Sequence, residues 1–557
     1  MSYPAGVAWD IAVPERPLYA LLDDASGRFG NHTCVDCLDQ RFTYAEIARL
    51  VARAAKGLQI LGVGKGVRVG LLLPNTQFFV IAYYGALKAG GTVVNLNPLY
   101  AEAEIRQILA DADVRVVVTM DQALLYGKLA RALDGTAVER VVVARMSGLL
   151  RWPQRGLYAL FGRRDRARIP RDHRHLTLDR LLANDGLPEP VAIDPPHDVA
   201  VLHYTGGIDG EPKAAILTHT NLYANALQAR TLFPEVVEGE ERVLGVLPLC
   251  HVFGMSGVLN VAVLAGGALV LLPRFTVEET LRAIDRKKVT LFPGVPSMFA
   301  MLLNSRHLAR YDLSSLRAAI AGGAPLPAAL QRRFEALTGG RLVEGYGLTE
   351  AGPVVTCNML SAGRRENSVG LPLPGTVVEI LSLEEPRRRL PAGAPGEVCV
   401  RGPQVMAGYW NRLAATGAVL RDGRLHTGDL GYLDEAGYLH LTGRSKRMIL
   451  VGGYNVYPNR VEAVIGTLPV VARVEVSGAP DRRLGERVRA TVWLRAGASL
   501  TVEGLRAHLK DQLAPFAIPR DVTIVPAAAV AAAGDTPPVT YGLPAARPEP
   551  LHGDTHG

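Results

Sequence analysis

The most informative stretch of the chain reads Val199-Ala-Val-Leu-His-Tyr-Thr-Gly-Gly-Ile-Asp-Gly-Glu-Pro-Lys213. Its first four residues are apolar and predict a buried strand. The clustered glycines allow backbone N–H groups to turn towards a phosphate, and Lys213 adds a positive charge. The spacing is not that of a Walker loop, because Glu211 and Pro212 separate Gly210 from the lysine. On its own, such a glycine-rich turn is more often only a turn, so the phosphate hypothesis needs further motifs.

Further polar motifs follow in the second half of the chain. Gly345-Tyr-Gly-Leu-Thr-Glu350 stands after an apolar stretch, and Ala321-Gly-Gly-Ala-Pro325 lies upstream of it. His426-Thr-Gly-Asp-Leu-Gly431 comes next, and Gly443-Arg-Ser-Lys446 is followed by Gly452-Gly-Tyr-Asn-Val-Tyr-Pro458. Each motif alone could be structural punctuation. Their order and separations together are more informative than any one of them.

The N-terminal part of the chain alternates helical and strand patterns at short intervals. Apolar residues recur at helical spacing from Ile47 to Leu61, and Val67 to Leu73 then predicts a buried strand. The same order recurs in three more pairs of segments: 77–88 with 92–94, 103–110 with 114–119, and 124–133 with 138–144. Such alternation predicts helices that cross over between parallel strands.

A different pattern begins near residue 447. It predicts a compact αββαβ unit, with helices near 459–468 and 502–513 and strands near 472–477, 487–494 and 522–525. We therefore expect an α/β protein with a large N-terminal domain of layered β-sheets and helices, residues 1–446, and a smaller α+β domain, residues 447–557. The tail after Ala527 is rich in Ala, Pro and Gly, and no structure is predicted for its last dozen residues.

Composition excludes several classes of protein. The 557 residues are 48% hydrophobic and 20% charged, a balance that excludes a disordered chain, a coiled coil and a disulfide miniprotein. Five cysteines imply no disulfide framework and favour a reducing compartment, and the Cys34-x-x-Cys37 pair is interpreted as structural. No secretory signal and no transmembrane helix are predicted, so we expect a cytoplasmic protein.

The net charge of +8 is concentrated in one segment. Residues 145–175 contain nine Arg against Asp165 and Asp172. Interleaved aromatic and apolar residues favour peripheral contact with anionic membrane at its inner face, and a solvated loop is the alternative. The sequence shows no nucleic-acid-binding module, no Ser-His-Asp signature and no metal-ligand cluster, so no nucleic-acid partner is expected.

Together the motifs resemble the adenylate-forming (AMP-binding) superfamily, which includes acyl-CoA synthetases, luciferases and peptide-synthetase adenylation domains. The resemblance runs from about Tyr44 to Val525. Leu247-Pro-Leu-Cys-His-Val-Phe-Gly254 and Pro293-Gly-Val-Pro296 are most similar to bacterial medium- and long-chain fatty acyl-CoA synthetases. The resemblance implies a fatty acid–CoA ligase that uses ATP, Mg²⁺ and CoA and works through an acyl-adenylate. It also implies that the small C-terminal domain is mobile and rotates between the two half-reactions.

The resemblance implies roles for residues around the nucleotide. Lys213 would contact the ATP phosphates, Thr349 would hold the α-phosphate, and Glu350 would bind Mg²⁺, which suits a carboxylate beside a polyphosphate. Tyr346 would stack on adenine, and Asp429 would accept hydrogen bonds from the ribose hydroxyls. The remaining nucleotide-binding positions are Thr205, Gly206, Gly207, Gly210, Gly322, Gly323, Ala324 and Gly347.

Other roles follow from the same resemblance. Arg444 would assist at the ribose, and Lys446 stands at the hinge position. Gly452-Gly453 would let the pantetheine chain of CoA approach the backbone closely. His251 would lie near the carboxylate of the acid, and the alternative is a histidine packed near Pro248.

Two departures from the family pattern bear on catalysis. Ile208 and Asp209 replace Ser or Thr in the phosphate loop, which removes two hydroxyl donors and brings a negative charge towards a polyanion. An ungapped count places Asp535 where the family has a catalytic lysine, and Lys510 is the last lysine of the chain. The alternative function is therefore an impaired homologue that binds nucleotide or acyl-CoA without efficient adenylation.

Overall fold

The computed structural model describes residues 3, 6–150, 158, 165–206, 212–360, 364–444, 448–481 and 483–526. Several sequence predictions concern positions outside this part of the chain, namely Gly207, Ile208, Asp209, Gly210, Lys446 and Asp535. The same holds for most of residues 151–164 in the Arg-rich segment, so its contact with a membrane stays a prediction. Within the described part, the structure contains no helix that is both long enough and apolar enough to cross a bilayer.

The helices are distributed along the whole described chain. They are α1 (Ala20–Phe29), α2 (Tyr44–Ile60), α3 (Gln77–Lys88), α4 (Glu102–Asp111), α5 (Ala123–Ala132), α6 (Leu178–Leu181), α7 (His219–Leu232), α8 (Val261–Leu264), α9 (Val277–Lys287), α10 (Pro296–Leu303), α11 (Ala328–Thr338), α12 (Leu413–Val419), α13 (Pro458–Gly466) and α14 (Val502–Lys510). Short 3₁₀ turns span Met146–Leu149, Leu308–Arg310 and Thr349–Ala351, and a π-helix spans Phe253–Asn260.

The strands belong to four sheets. In chain order they are β1 (Thr33–Cys37), β2 (Gln40–Thr43), β3 (Arg68–Leu71), β4 (Thr92–Asn95), β5 (Val114–Met120), β6 (Arg140–Ala144), β7 (His175–Thr177), β8 (Val199–Gly206), β9 (Pro212–Thr218), β10 (Arg242–Gly245), β11 (Ala268–Leu271), β12 (Leu291–Gly294), β13 (Ala318–Ala321), β14 (Arg341–Gly347), β15 (Val354–Cys357), β16 (Leu371–Pro372), β17 (Val377–Leu381), β18 (Gly396–Arg401), β19 (Gly408–Tyr409), β20 (Leu420–Arg421), β21 (Arg424–Leu433), β22 (Leu439–Arg444), β23 (Ile449–Val451), β24 (Tyr454–Val456), β25 (Val471–Asp481), β26 (Gly485–Leu494) and β27 (Asp521–Val525).

Two large sheets have parallel centres, as the alternation of helices and strands predicts. The first has the order β19-β9-β8-β4-β3-β5-β6-β7, and its strands from β8 to β7 run parallel. The second has the order β16-β15-β14-β13-β12-β10-β11-β1-β2, with a parallel centre and antiparallel strands at both edges. Both sheets contribute to one continuous apolar core. The predicted α/β fold class is therefore confirmed.

Helices α2 and α3 show how local sequence specifies the layers. Thr43 caps α2 by accepting a hydrogen bond from the Glu46 N–H at 3.2 Å, and the Glu46 carboxylate accepts from the Thr43 N–H at 2.8 Å. Gly85 on α3 allows close packing, because a Cβ there would lie 2.7 Å from the Ala54 Cβ. Helix α3 also buries Tyr83 and Tyr84 completely. The hydroxyls of both tyrosines are hydrogen-bonded, which offsets the cost of burying them.

The third and fourth sheets are smaller. The third has the order β17-β18-β21-β20, with β22 paired to β21. The fourth has the order β24-β23-β26-β25, with β27 parallel to β26, and it forms the separate core of the C-terminal part with α13 and α14. The αββαβ prediction missed β23 and β24. Each has only three residues, and Gly452-Gly453 forms the turn between them, so neither shows a strand periodicity.

Buried Asn75 joins the two large sheets. Its side-chain amide donates to the carbonyls of Gly245 at 3.0 Å and Leu247 at 2.7 Å, and its carbonyl accepts from the Leu249 N–H at 2.8 Å. Asn75 follows β3 of the first sheet, whereas its partners end β10 of the second sheet and continue beyond it. One side chain therefore satisfies three buried backbone groups where the sheets meet.

We predict that Asn75→Ala lowers the free energy of unfolding by about 2–4 kcal/mol, because it leaves buried backbone groups without partners. Chemical denaturation followed by fluorescence measures the change. Asn31→Ala is the matched control, since Asn31 is exposed. Equal stability of the two variants would show that water replaces the amide at this junction.

Candidate active site

A cavity of about 250 Å³ lies where the four sheets meet. The first sheet contributes the β8–β9 hairpin, and the second contributes the carboxyl ends of β13 and β14. The third sheet contributes residues 425–429 of β21, and the C-terminal sheet contributes Gly453 and Asn455. Crevices outside the carboxyl ends of parallel strands are the usual ligand sites of α/β sheets. The motifs at 204–213, 345–350, 426–431 and 452–458 therefore reach one cavity.

The β8–β9 hairpin carries the ends of the glycine-rich stretch. Thr205 and Lys213 are directly opposite each other in its register, and both line the cavity. The Lys213 Nζ lies 5.9 Å from the centre of the Tyr409 ring. Tyr204 is fixed behind the hairpin, where its hydroxyl donates to the Asp111 carboxylate at 2.6 Å. The hairpin thus holds a lysine at the cavity wall.

Glu350 is oriented by a residue that the sequence analysis did not single out. Thr349 and Glu350 belong to the 3₁₀ turn that follows β14. The turn requires glycine at position 347, because a Cβ there would lie 2.0 Å from the Pro353 carbonyl oxygen. The Tyr409 hydroxyl donates to Glu350 Oε1 at 2.7 Å. Tyr409 therefore contacts both the candidate phosphate lysine and the candidate magnesium ligand.

Tyr346 and Asp429 form a buried pair on another wall of the cavity. The Tyr346 hydroxyl donates to Asp429 Oδ2 at 2.6 Å, although the two residues are far apart in sequence. The Asp429 N–H donates to Thr427 Oγ1 at 3.0 Å, and the Thr427 hydroxyl donates to the Val398 carbonyl at 2.7 Å. This part of β21, which carries Asp429, is thus held against β18. An aromatic ring beside a carboxylate suits a nucleoside, with a flat base and a hydroxylated sugar.

His251 lies at the boundary between this cavity and a second one, and it is neutral near pH 7. The backbone N–H of His251 donates to the Pro248 carbonyl at 3.0 Å. The ring Nδ1 accepts from the backbone N–H of Phe253 at 3.3 Å, which leaves the ring proton on Nε2. Burial lowers the pKa of His251 to about 4. His203 stands edge-on to it at a centroid distance of 5.9 Å, and burial together with His251 lowers the pKa of His203 to about 3. The sequence analysis missed His203, since a histidine inside an apolar strand is typical of the core.

A second cavity of about 130 Å³ lies between the large domain and the C-terminal domain. Thr205, His251 and Thr349 line both cavities, as do Asn455 and Tyr457 of the C-terminal domain. The Tyr457 hydroxyl lies 3.3 Å from Thr205 Oγ1. The C-terminal domain therefore closes one side of the site, and the smaller cavity leads to the larger one along the domain interface.

The remaining predicted positions differ in how close they come to the large cavity. Gly322, Gly323, Gly347 and Gly453 line it, whereas Gly452 and Ala324 are not among its lining residues. A Cβ on Gly453 would lie 2.9 Å from Val295, so the C-terminal hairpin approaches the large domain closely. Arg444 stands opposite Asp429 in the β21–β22 register.

The structure also corrects the expectation that the chain has no metal-ligand cluster. Glu397, Cys399 and His426 offer ligand atoms that all lie within 4.8 Å of one another. Glu397 and Cys399 are two residues apart on β18, and His426 is on the neighbouring strand β21 of the same sheet. Cys399 and His426 are 27 positions apart in the chain, so the sequence does not show this proximity.

We predict that Asp429→Asn weakens AMP binding by about 10- to 100-fold, because a charged acceptor of ribose hydroxyls becomes a neutral amide. Isothermal titration calorimetry measures the change. Asp422→Asn is the matched control, since Asp422 precedes the same strand in an exposed turn whose positive φ of 50° also suits Asn. Unchanged affinity in Asp429→Asn would exclude Asp429 from the nucleotide site.

The sequence and the fold have relatives of known activity. The model of the family "AMP-binding enzyme" matches residues 22–410, and that of the "AMP-binding enzyme C-terminal domain" matches residues 460–533. A long-chain-fatty-acid–CoA ligase of Bacillus subtilis is 40% identical over 523 residues, which cover 93% of each chain.

Solved structures show the same likeness. The amide bond synthetase McbA from Marinactinospora thermotolerans has a TM-score of 0.79 at 29% identity, covering 92% of this chain and 96% of that one. A long-chain-fatty-acid–CoA ligase from Archaeoglobus fulgidus has a TM-score of 0.75 at 26% identity, covering 94% and 99%. The two family models match successive parts of the chain. The motifs that suggested the resemblance line the cavity. The chain belongs to the AMP-binding enzyme family.

Proposed function

We propose that this protein is an ATP-dependent, AMP-forming ligase that joins a long-chain fatty acid to CoA. The observation that carries the proposal is that His251 and Thr349 line both the large cavity and the interdomain cavity. Beside them, the large cavity has polar residues that suit a nucleotide and apolar residues that suit an acyl chain. Likeness over nearly the whole length of a fatty-acid–CoA ligase supports the same activity and favours it over an impaired homologue. The acid itself is inferred from these relatives and from the apolar character of the cavity.

The nucleotide end of the cavity fits ATP. The Tyr346 ring provides a flat surface for adenine, Asp429 an acceptor for the ribose hydroxyls, and Lys213 a cation for the phosphates. The carboxylate oxygens of Glu350 are ligands that Mg²⁺ prefers, so Glu350 fits as the residue that would hold it. When bound there, Mg²⁺ would neutralise charge on the phosphate oxygens. Tyr409 holds the Glu350 carboxylate in one orientation through its hydroxyl.

The acid end of the cavity is formed around the π-helix. The Phe253 ring rests against Gly257 and Gly322, where an added Cβ would approach ring carbons within 2.8 Å and 3.0 Å. Phe253 and Ile320 supply apolar surface, and neutral His251 can donate a hydrogen bond from Nε2 to a carboxylate oxygen. An alkyl chain can thus lie on apolar surface while its carboxylate points towards the α-phosphate.

Two displacements at this junction complete the reaction. In the first, a carboxylate oxygen attacks the α-phosphorus, and the bond to pyrophosphate breaks. In the second, the CoA sulfur attacks the acyl carbon, the bond to the AMP oxygen breaks, and the thiol proton is released. Thr349 lines both cavities, so its hydroxyl can contact the α-phosphate in either step. The smaller cavity, walled by Tyr454 and Val456 of the C-terminal domain, suits the arrival of the thiol.

We predict that pyrophosphate release, with ATP, Mg²⁺ and CoA present, is fastest with long-chain fatty acids among a panel of short, medium, long and aromatic acids. Saturated acids of increasing length should give rising kcat/KM, because each buried methylene contributes about 0.8 kcal/mol until the apolar surface is filled. Glu350→Gln is the control, in which release should fall sharply with every acid. A preference for aromatic or short acids would contradict the proposed substrate and leave the ligase chemistry standing.

The substitutions in the phosphate loop and at position 535 generate a separate prediction. A missing preorganised charge typically costs about 10²–10³ in rate, so the native chain should form acyl-AMP more slowly than a variant in which the family lysine is restored. Asp535→Lys should raise the rate of acyl-AMP formation, and adding Ile208→Thr and Asp209→Thr should raise it further. Thioester formation from supplied acyl-AMP should change less, because it does not need the cation at the triphosphate.

Glu503→Lys is the matched control for Asp535→Lys, since it makes the same change of charge at an exposed position of the C-terminal domain. Quenched-flow measurement of acyl-AMP from labelled ATP separates the two half-reactions. Rapid adenylation by the native chain, with no gain in Asp535→Lys over Glu503→Lys, would show that another cation replaces the family lysine.

A further inference from the structure

Glu397, Cys399 and His426 converge on one face of the third sheet. Cys399 and His426 are directly paired across β18 and β21, and Glu397 lies two residues before Cys399 on the same face. The His426 Nδ1 is 2.8 Å from Glu397 Oε2 and 3.4 Å from Cys399 Sγ. Ligand atoms around a bound zinc ion are separated by distances of this order, since bonds to zinc measure about 2.0–2.3 Å. A small outward movement of the Glu397 oxygen would admit an ion between the three side chains.

The donor set has a definite chemical preference. One sulfur, one imidazole nitrogen and one carboxylate oxygen suit Zn²⁺ and Co²⁺, whereas Mg²⁺ and Ca²⁺ prefer oxygen ligands alone. A cation bound at the Cys399 sulfur would displace the thiol proton. The carboxylate and the thiolate would then neutralise a divalent ion inside a mostly buried site.

The surroundings of the cluster supply a second layer of contacts and a route of entry. Glu397 Oε1 accepts a hydrogen bond from the Gly428 N–H at 3.1 Å, which leaves Oε2 to face the histidine. A carboxylate ligand held in this way is typical of protein metal sites. His426 also lines the large cavity, so an ion and a coordinating water molecule can reach the cluster from the nucleotide side.

We propose that Glu397, Cys399 and His426 bind one thiophilic divalent cation, such as Zn²⁺, in the wall of the nucleotide cavity. The fourth ligand is water from the cavity, because the described protein supplies three. Occupation replaces the hydrogen bond between Glu397 and His426, which holds the turn leading to Asp429. The cation therefore lowers the affinity for AMP, and this coupling alone rests on the proposed function.

Titration of the untagged full-length chain with Co²⁺ tests the site. We expect a thiolate-to-cobalt charge-transfer band that saturates at one ion per chain, is lost on addition of Zn²⁺ and is absent in Cys399→Ala. The magnesium site at Glu350 cannot produce this band, because its ligands are oxygens. Cys357→Ala is the matched control, since Cys357 is a buried thiol that lines the same cavity outside the cluster. This variant should keep the band.

Two further variants cover the case in which Cys399→Ala fails to fold. His426→Gln and Glu397→Gln keep the thiol but remove another ligand, so both should weaken Co²⁺ binding and change the band. Absence of the band in the native chain, or its persistence in folded Cys399→Ala, would overturn the site. Calorimetry with AMP in the presence and absence of Zn²⁺ tests the coupling. Equal affinity for AMP under the two conditions would refute the coupling, while the cation site itself is decided by the Co²⁺ titration.

Discussion

The active site of this protein depends on one geometric constraint, which is that four separate sheets must end at the same place. No sheet contains the whole cavity, because its lining residues come from the β8–β9 hairpin, the ends of β13 and β14, residues 425–429 of β21 and the β23–β24 hairpin, which belong to different sheets. The hydrogen bonds of Asn75 join the two large sheets. Lys213 belongs to the first sheet and Tyr346 to the second, so a displacement at this joint would change the distance between them.

Within the cavity, the charged groups are already oriented before a substrate arrives. Tyr346 donates to Asp429, and Tyr409 donates to Glu350, so each carboxylate is held by a phenol. The two histidines beneath the site remain neutral because burial disfavours their charged forms. The cavity thus contains two carboxylates whose orientation is fixed by a neighbouring hydroxyl. Such preorganisation is the usual source of electrostatic catalysis.

Residues at the interface between the domains line both cavities. The C-terminal domain approaches the large domain at two points. A residue bulkier than Gly453 would collide with Val295, and the Tyr457 hydroxyl lies beside Thr205. The smaller cavity exists only because the two domains face each other in this arrangement. Tyr457 and Asn455 of the C-terminal domain therefore line the same cavity as Tyr346 and Asp429 of the large domain.

The sequence by itself determined the class of fold, the family and most walls of the cavity. Periodicity identified α2, α3 and the parallel strands because each apolar pattern lies within a few turns or residues of chain. The motifs identified the family because their residue types and order are local properties. By contrast, only the tertiary structure decided which side chains orient Glu350 and Asp429, and it revealed His203 and the Glu397–Cys399–His426 cluster. These groups meet through strand pairing and sheet packing between distant segments, and no local pattern in the chain records which distant residues will become neighbours.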